Sequence, residues 1–177
     1  GEQLSLADVQ RVAAGGVQVE LAKQARARME NSQAWVTEIV AAGNPVYGIT
    51  TGFGIFSEQQ ISPQDATKLN RNLILSHAVA TGPDLPGEVV RAAMIIRANT
   101  LAAGFSGARP ALVDTLLEML NQSVTPCIPS HGSLGSSGDL APLAHLALVL
   151  STDDRDLDAE SGWVMYKERH ISGKAAM

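Results

Sequence analysis

The sequence predicts a mainly α-helical fold. Apolar residues recur at helical spacing in several segments, and helix-start signals such as Ser62-Pro63 precede some of these segments. Glycine- and proline-rich breaks such as Gly15-Gly16 end them. A short strand is predicted only in the last part of the chain, at residues 163–166.

Two helices are predicted near the start of the chain. Ser5 and Asp8 form a pattern typical of a capping box, and the helix that they open ends at Gly15-Gly16. Strong helix formers predict a second helix over residues 19–42, which Gly43-Asn44-Pro45 ends.

Four more helices are predicted further along. Ser62-Pro63 opens a helix that ends near residue 82, because proline is favoured at the first helical position. Residues 88–103 are so apolar that we expect that helix to be buried on most sides. Pro110 starts another, and the last covers residues 140–150. So many apolar helices in a short chain indicate an oligomer or further partner segments.

The predicted domain organisation divides the chain at residue 150. Residues 1–150 are expected to form one helical domain that carries a functional loop at 132–139. Residues 151–177 are expected to form a poorly defined tail. Five acidic residues between positions 151 and 160 predict a solvated loop there.

Composition excludes several classes of function. The net charge of -5 and the lack of a basic run argue against nucleic-acid binding. No apolar stretch is long enough to cross a bilayer, and no signal peptide is visible at the start. Cys127 is the single cysteine, which favours a reducing cytoplasm and a structural thiol. No metal site is expected.

The segment from Gly132 to His145 has the composition of a functional loop followed by a helix. Three glycines and three serines between positions 132 and 139 permit unusual backbone conformations. Asp139 is predicted to cap the next helix, which would place the loop at the positive end of the helix dipole. From local physics alone, a helix-capping loop is the simpler interpretation.

Gly132 to Leu143 resembles the signature Gly-Ser-x-Gly-[Ala/Ser/Thr]-Ser-Gly-Asp-Leu-x-Pro-Leu. That signature belongs to the aromatic amino acid ammonia-lyases and aminomutases that carry a 4-methylidene-imidazol-5-one group. The resemblance implies that this group forms autocatalytically from Ser136-Ser137-Gly138, through attack of the Gly138 nitrogen on the Ser136 carbonyl and loss of water from Ser137. Ser136 stands where the family most often has alanine, a mild departure because only its carbonyl enters the ring.

Two other segments resemble the same family. Tyr47-Gly48-Ile49-Thr50-Thr51-Gly52-Phe53-Gly54 resembles the stretch whose tyrosine removes the β-proton of the substrate. Its spacing fits neither a Walker loop nor a dinucleotide fingerprint. Leu75-Ser76-His77-Ala78 resembles the helix whose histidine lines the pocket for the substrate side chain. The implied roles are thus catalytic for Tyr47 and for the Ser136-Ser137-Gly138 triad, substrate-binding for His77, and loop support for Gly54 and Asp139.

The resemblance, which spans residues 4 to 150, is strongest to histidine ammonia-lyases. It implies the N-terminal domain of the ammonia-lyase and fumarase/aspartase type, without the long C-terminal helical bundle, and a homotetrameric full-length parent. The implied reaction is elimination of ammonia from L-histidine to give urocanate. A 2,3-aminomutase, a phenylalanine or tyrosine ammonia-lyase, and a non-catalytic fragment or scaffold stay open as alternatives. We expect the 177 residues alone to be inactive.

Overall fold

Seven α-helices account for most of the regular structure in the part of the chain that is described. The computed structural model describes residues 3–177, without the side chains of Pro63, Gln64 and Ser137. The helices are α1 (Leu6–Ala14), α2 (Lys23–Ala42), α3 (Pro63–His77), α4 (Gly87–Ala102), α5 (Pro110–Asn121), α6 (Leu140–Leu150) and the one-turn α7 (Gly173–Ala176). The predicted mainly α fold is confirmed. No helix among the described residues is both long and apolar enough to cross a membrane.

Among residues 3–177, five short strands form two small antiparallel sheets. The strands are β1 (Thr81–Asp84), β2 (Thr125–Pro126), β3 (Pro129–His131), β4 (Trp163–Tyr166) and β5 (Arg169–Ser172). One sheet pairs β1 with β3, and the other has the order β2-β4-β5. Only β4 was expected, because the other strands show no apolar pattern of their own.

Local signals place most helix ends correctly. Ser5 and Asp8 form the predicted capping box, in which the Asp8 amide donates to the Ser5 hydroxyl at 3.2 Å. Two ends differ from the prediction. Helix α3 ends at His77 and not near residue 82, because Thr81–Asp84 pair with Pro129–His131 as a strand. Helix α2 begins four residues later than predicted. There the Asn121 side chain accepts from the Val19 amide at 2.9 Å and donates to the Val19 carbonyl at 3.0 Å. This tertiary contact holds Val19 outside the helix.

Helix α4 lies at the centre of the core. It contacts α1, α2 and α5 and is buried on several sides, as its apolar sequence predicted. Core side chains with almost no exposure are Met29, Val90, Met94, Val113, Leu116, Leu120, Val149 and Val164. Val164 belongs to β4, so residues beyond position 150 contribute to the same core. The division at residue 150 stays a prediction.

The buried Arg91 ties two helix ends to α4. Its guanidinium donates to the carbonyls of Val12 at 2.9 Å, Ala13 at 3.1 Å and Leu120 at 3.2 Å. These carbonyls lie at the ends of α1 and α5, where backbone acceptors lack helical partners. Burial lowers the pKa of Arg91, and the three acceptors offset the cost of placing a charge there.

The acidic segment at 151–160 is mostly exposed, as predicted, but two cations hold it in place. Arg71 of α3 forms an ion pair with Asp156 at 2.8 Å. Lys174 donates to the carbonyls of Asp154 at 2.8 Å and Asp156 at 2.9 Å.

Candidate active site

The predicted triad lies in an exposed turn immediately before α6. Residues Gly135–Ser137 form a short 3-10 turn, and Gly138 follows in the left-handed region with a φ of 96°. The Gly138 amide donates to the Gly135 carbonyl at 3.2 Å. Ser136 and Gly138 are exposed, and the Ser137 side chain lies outside the described residues. The triad backbone is therefore accessible and strongly bent.

Asp139 does not cap α6, which corrects the sequence prediction. It occupies the N-cap position in a left-handed conformation with a φ of 53°, and its side chain makes no capping hydrogen bond. Its carboxylate instead accepts a hydrogen bond from the Ser133 hydroxyl, and the same hydroxyl accepts from the Gly135 amide at 3.1 Å. The left-handed backbone accounts for the error, because an N-cap normally has an extended one. Asp139 closes the loop on itself and leaves the positive end of α6 without a side-chain cap.

The pairing of β1 with β3 brings the end of α3 towards the triad loop. Thr81 pairs with His131 in antiparallel register, so the chain before Thr81 and the chain after His131 leave the same end of this two-stranded ribbon. Gly132 lies at the closest approach. A Cβ there would be 2.6 Å from the Cβ of Ala80 and 3.2 Å from that of Ala141. Glycine is needed at 132 because there is no space for a side chain.

His145 of α6 also contacts the segment that follows α3. Its Nε2 accepts a hydrogen bond from the Ala80 amide at 3.2 Å, which requires that nitrogen to be unprotonated. Burial lowers the pKa of His145, while the negative charge of Asp84 opposes the shift. His145 therefore supports the segment that follows α3.

His77 is the last residue of α3 and is half-buried. Its Nδ1 lies 2.8 Å from the Leu73 carbonyl and 3.1 Å from the Ser76 hydroxyl. A carbonyl only accepts, so we assign the proton of the neutral ring to Nδ1. The Nε2 atom is then an acceptor that a ligand can use.

Tyr47 lies in a separate loop and is 63% exposed. Its ring packs edge-on against Phe53 with the centroids 6.1 Å apart. The Thr50 hydroxyl closes the loop, because it accepts from the Val46 amide at 2.8 Å and donates to the Asn44 carbonyl at 2.6 Å. Gly54 has a positive φ of 57° at the start of the 3-10 turn Gly54–Phe56, a conformation that favours glycine.

The predicted site residues do not form one enclosed pocket among the described residues. Among the described residues, no hydrogen bond or ring contact joins Tyr47 to the loop at 132–139. Leu134, Leu140 and Val79 are exposed apolar residues in or beside that loop and at the end of α3. A cavity of about 650 Å³ lies beside α5 and is lined by Glu118, Tyr166 and other residues, none of them a predicted site residue.

Cys127 is a half-buried free thiol away from the triad. Burial, together with the neighbouring Asp84 carboxylate, raises its pKa to about 11. Such a thiol is protonated near neutral pH and is not an activated nucleophile.

Comparison with known proteins gives consistent matches. The family described as aromatic amino acid lyase matches residues 4–177, past the motifs that end before residue 150. Histidine ammonia-lyase of Caldanaerobacter subterraneus subsp. tengcongensis is 48% identical over 177 residues, which are 100% of this chain and 33% of that protein. The chain therefore spans about a third of the length of the curated relatives that it matches.

Solved structures agree with the sequence matches. An ergothioneine-degrading enzyme from Treponema denticola superposes with a TM-score of 0.90 at 30% identity, over 99% of this chain and 34% of its own. Tyrosine aminomutase from Streptomyces globisporus superposes with a TM-score of 0.85 at 33% identity, over 97% of this chain and 31% of its own.

Proposed function

The chain belongs to the aromatic amino acid lyase family, and from that premise we propose that it is the cofactor-forming part of an ammonia-lyase. The proposed reaction removes ammonia from an aromatic L-amino acid, with L-histidine as substrate and urocanate as product. The observation that carries the proposal is the exposed, left-handed turn at Gly138, which lies before a helix without a side-chain cap. Its sequence is the signature from which the family forms its electrophile.

The triad residues fit the group that the family implies. Gly138 has no Cβ, a positive φ and open space around it, so its backbone can bend towards Ser136. Closing the ring forms one N–C bond between these residues, and the carbonyl oxygen of Ser136 and the hydroxyl of Ser137 leave as two waters. The Gly138 amide must first release the Gly135 carbonyl, which it now contacts at 3.2 Å. When formed, the group supplies an electrophilic methylene carbon, which no unmodified side chain provides.

Residues of the chain itself stabilise negative charge beside this loop and contact the substrate. The free N–H groups at the start of α6 stabilise negative charge beside the triad. His77 presents Nε2 to the side chain of the substrate from the segment that the β1–β3 ribbon holds next to the loop. Asp139 and Ser133 keep the loop closed during these steps.

Tyr47 is the proposed acceptor of the β-proton. A phenol has an ordinary pKa of about 10, so a base working near neutral pH must be activated by its surroundings. Here the ring is 63% exposed, and further parts of the protein or further copies have to surround it. We extend the proposal to a cytoplasmic homotetramer in which several copies complete each site, as the family resemblance implies. We also propose that these 177 residues alone are inactive and leave the triad uncyclised.

Two variants of the full-length protein test the proposal. Tyr47→Phe should lower turnover of L-histidine by at least about a hundredfold, the usual scale for loss of a general base. Tyr166→Phe is the matched control and should leave turnover unchanged. The formation of urocanate is followed by ultraviolet absorbance. Near-normal turnover in Tyr47→Phe would remove that residue from the mechanism.

Ser137→Ala tests the cofactor separately. Mass spectrometry of the peptide that spans the loop should show the loss of two waters in the parent protein and no such loss in the variant. An unmodified loop in the active parent would contradict the proposal. It would instead favour a non-catalytic or differently catalysed function.

A 2,3-aminomutase is the second candidate, because tyrosine aminomutase has the same fold over this region. The segment Leu75-Ser76-His77 does not separate the two reactions. Chromatography does, since a mutase returns the amine as a β-amino acid. Replacing His77 should also change the ranking of histidine, tyrosine and phenylalanine as substrates, because an unmatched polar group discriminates strongly. Equal loss of all three rates would indicate a structural role.

A further inference from the structure

Three potential metal ligands that are far apart in the sequence meet at the end of the β1–β3 ribbon opposite the triad. The carboxylate of Asp84, the thiol of Cys127 and the imidazole of His170 place their ligand atoms within 4.8 Å of one another. No metal site was expected from the sequence, Cys127 was interpreted as structural, and His170 had no predicted role. Their sequence separations match no metal-binding motif, so only the fold shows the cluster.

The sheet positions explain why these side chains converge. Pro126 pairs with Val164, so Cys127 comes next opposite Trp163, and its amide donates to the Trp163 carbonyl at 2.8 Å. His170 lies on the same face of the sheet as Trp163, since Trp163 pairs with Ser172 and residues two apart on a strand share a face. Asp84 reaches the cluster from the end of β1, where it pairs with Pro129.

The ring of His170 is held in place from one side. It stacks on Trp163 with the centroids 4.9 Å apart and an interplanar angle of 12°. Asp84 and His170 are exposed while Cys127 is half-buried. The cluster therefore combines a fixed thiol at its base with two ligands that solvent can reach.

We propose that Asp84, Cys127 and His170 form a site for a zinc-class divalent cation, separate from the triad. Carboxylate, thiolate and imidazole are the ligands that Zn²⁺ takes in proteins, at bond lengths of about 2.0–2.3 Å. Tetrahedral geometry with such bonds puts ligand atoms about 3.3–3.8 Å apart. The exposed side chains of Asp84 and His170 can close the remaining distance. Binding forms a metal–sulfur bond and releases the thiol proton of Cys127 to solvent.

The proposed site has one position open to solvent. Three protein ligands leave a fourth tetrahedral position for water, as in zinc sites that are not purely structural. The ion would also connect the two sheets, because Asp84 comes from the β1–β3 pair and His170 from the β2-β4-β5 sheet.

Titration of the purified, chelator-treated protein with Co²⁺ and then Zn²⁺ tests the proposal. We expect a thiolate-to-cobalt charge-transfer band that saturates at one ion per chain, disappears in Cys127→Ser and is displaced by Zn²⁺. His170→Asn and Asp84→Asn should each weaken binding by more than about tenfold, the smallest loss seen when even outer-shell partners are removed. His131→Asn, at another exposed histidine, is the matched control and should bind as the parent does.

Several results would overturn the site. They are the absence of a band that depends on Cys127, unchanged affinity in His170→Asn, or an equal loss in the control. Because Asp84 and His170 are exposed, their variants decide the matter even where Cys127→Ser folds poorly. None of these measurements depends on enzymatic turnover, so failure of this site leaves the proposed lyase function standing, and the reverse holds as well.

Discussion

The contact between Gly132 and Ala80 should control how well the triad loop is held. Alanine at 132 would place its Cβ 2.6 Å from the Cβ of Ala80 and 3.2 Å from that of Ala141. Favourable carbon contacts lie at about 3.5–4.0 Å, so the two segments would have to separate by about 1 Å. Gly132 does not have a positive φ. The penalty therefore comes from crowding and not from backbone strain.

The size of the effect follows from that crowding. Overpacking a tight contact costs about 1–3 kcal/mol, and we expect about 2 kcal/mol for Gly132→Ala. Ala80→Gly removes the atom at 2.6 Å and leaves contacts at 3.2 Å. Alone it should cost about 0.5–1 kcal/mol, through the greater freedom of glycine in the unfolded chain. Combined with Gly132→Ala it should recover about 1 kcal/mol, because residues in contact are not additive.

Urea denaturation followed by circular dichroism measures the four free energies of unfolding in this cycle. Gly87→Ala serves as a control, since its nearest neighbour would be the Thr125 methyl group at 3.8 Å. It should be neutral or slightly stabilising. Strict additivity of the two substitutions, or a neutral Gly132→Ala, would refute the close approach described above.

Two further predictions concern stability. Arg91→Met leaves three carbonyls without their donor and should cost about 3 kcal/mol, at about 1 kcal/mol for each carbonyl when water satisfies part of the loss. Arg97→Met, at an exposed position of α4, is the control and should cost little. Similar urea midpoints for both variants would argue against the role of Arg91 in joining the helix ends. Because burial lowers the pKa of His145 from its ordinary 6.5, the unfolded chain binds more protons below that value. The stability from neutral His145 is thus present above about pH 6.5 and lost as pH falls towards the folded pKa. The urea midpoints of the parent and of His145→Gln are compared between about pH 7.5 and about pH 5.5. The same dependence on pH in both proteins would contradict this prediction.

Sequence reasoning predicted the features that local signals determine. The first residues of α1, α3 and α6 follow from Ser5, Ser62 and the loop before Leu140, whereas α3 ends at His77 and not near residue 82 as predicted. The start of α2 was misplaced because the determining contact comes from Asn121, which is distant in the sequence. The short strands other than β4 were missed for the same reason, since each is stabilised by its partner and not by its own pattern.

In the candidate site, too, the sequence predicted the residues but not the contacts between distant segments. The motifs singled out Tyr47, His77 and the triad, yet only the ribbon pairing shows how the end of α3 reaches the triad loop. The left-handed backbone of Asp139 has no signature in the residue itself, since aspartate is also a preferred N-cap. The Asp84–Cys127–His170 cluster gave no sequence signal at all.

The β1–β3 ribbon also sets an order of events during synthesis. Fifty positions separate Thr81 from His131, and at about 5–20 residues per second they take about 2.5 to 10 s to translate. Helices α4 and α5 lie between them, so the ribbon closes only after both have left the ribosome. Pairing at such separation is slow compared with helix formation. The end of α3 therefore reaches the triad loop only after α4 and α5 have been made, and the arrangement that the proposed function requires is completed late.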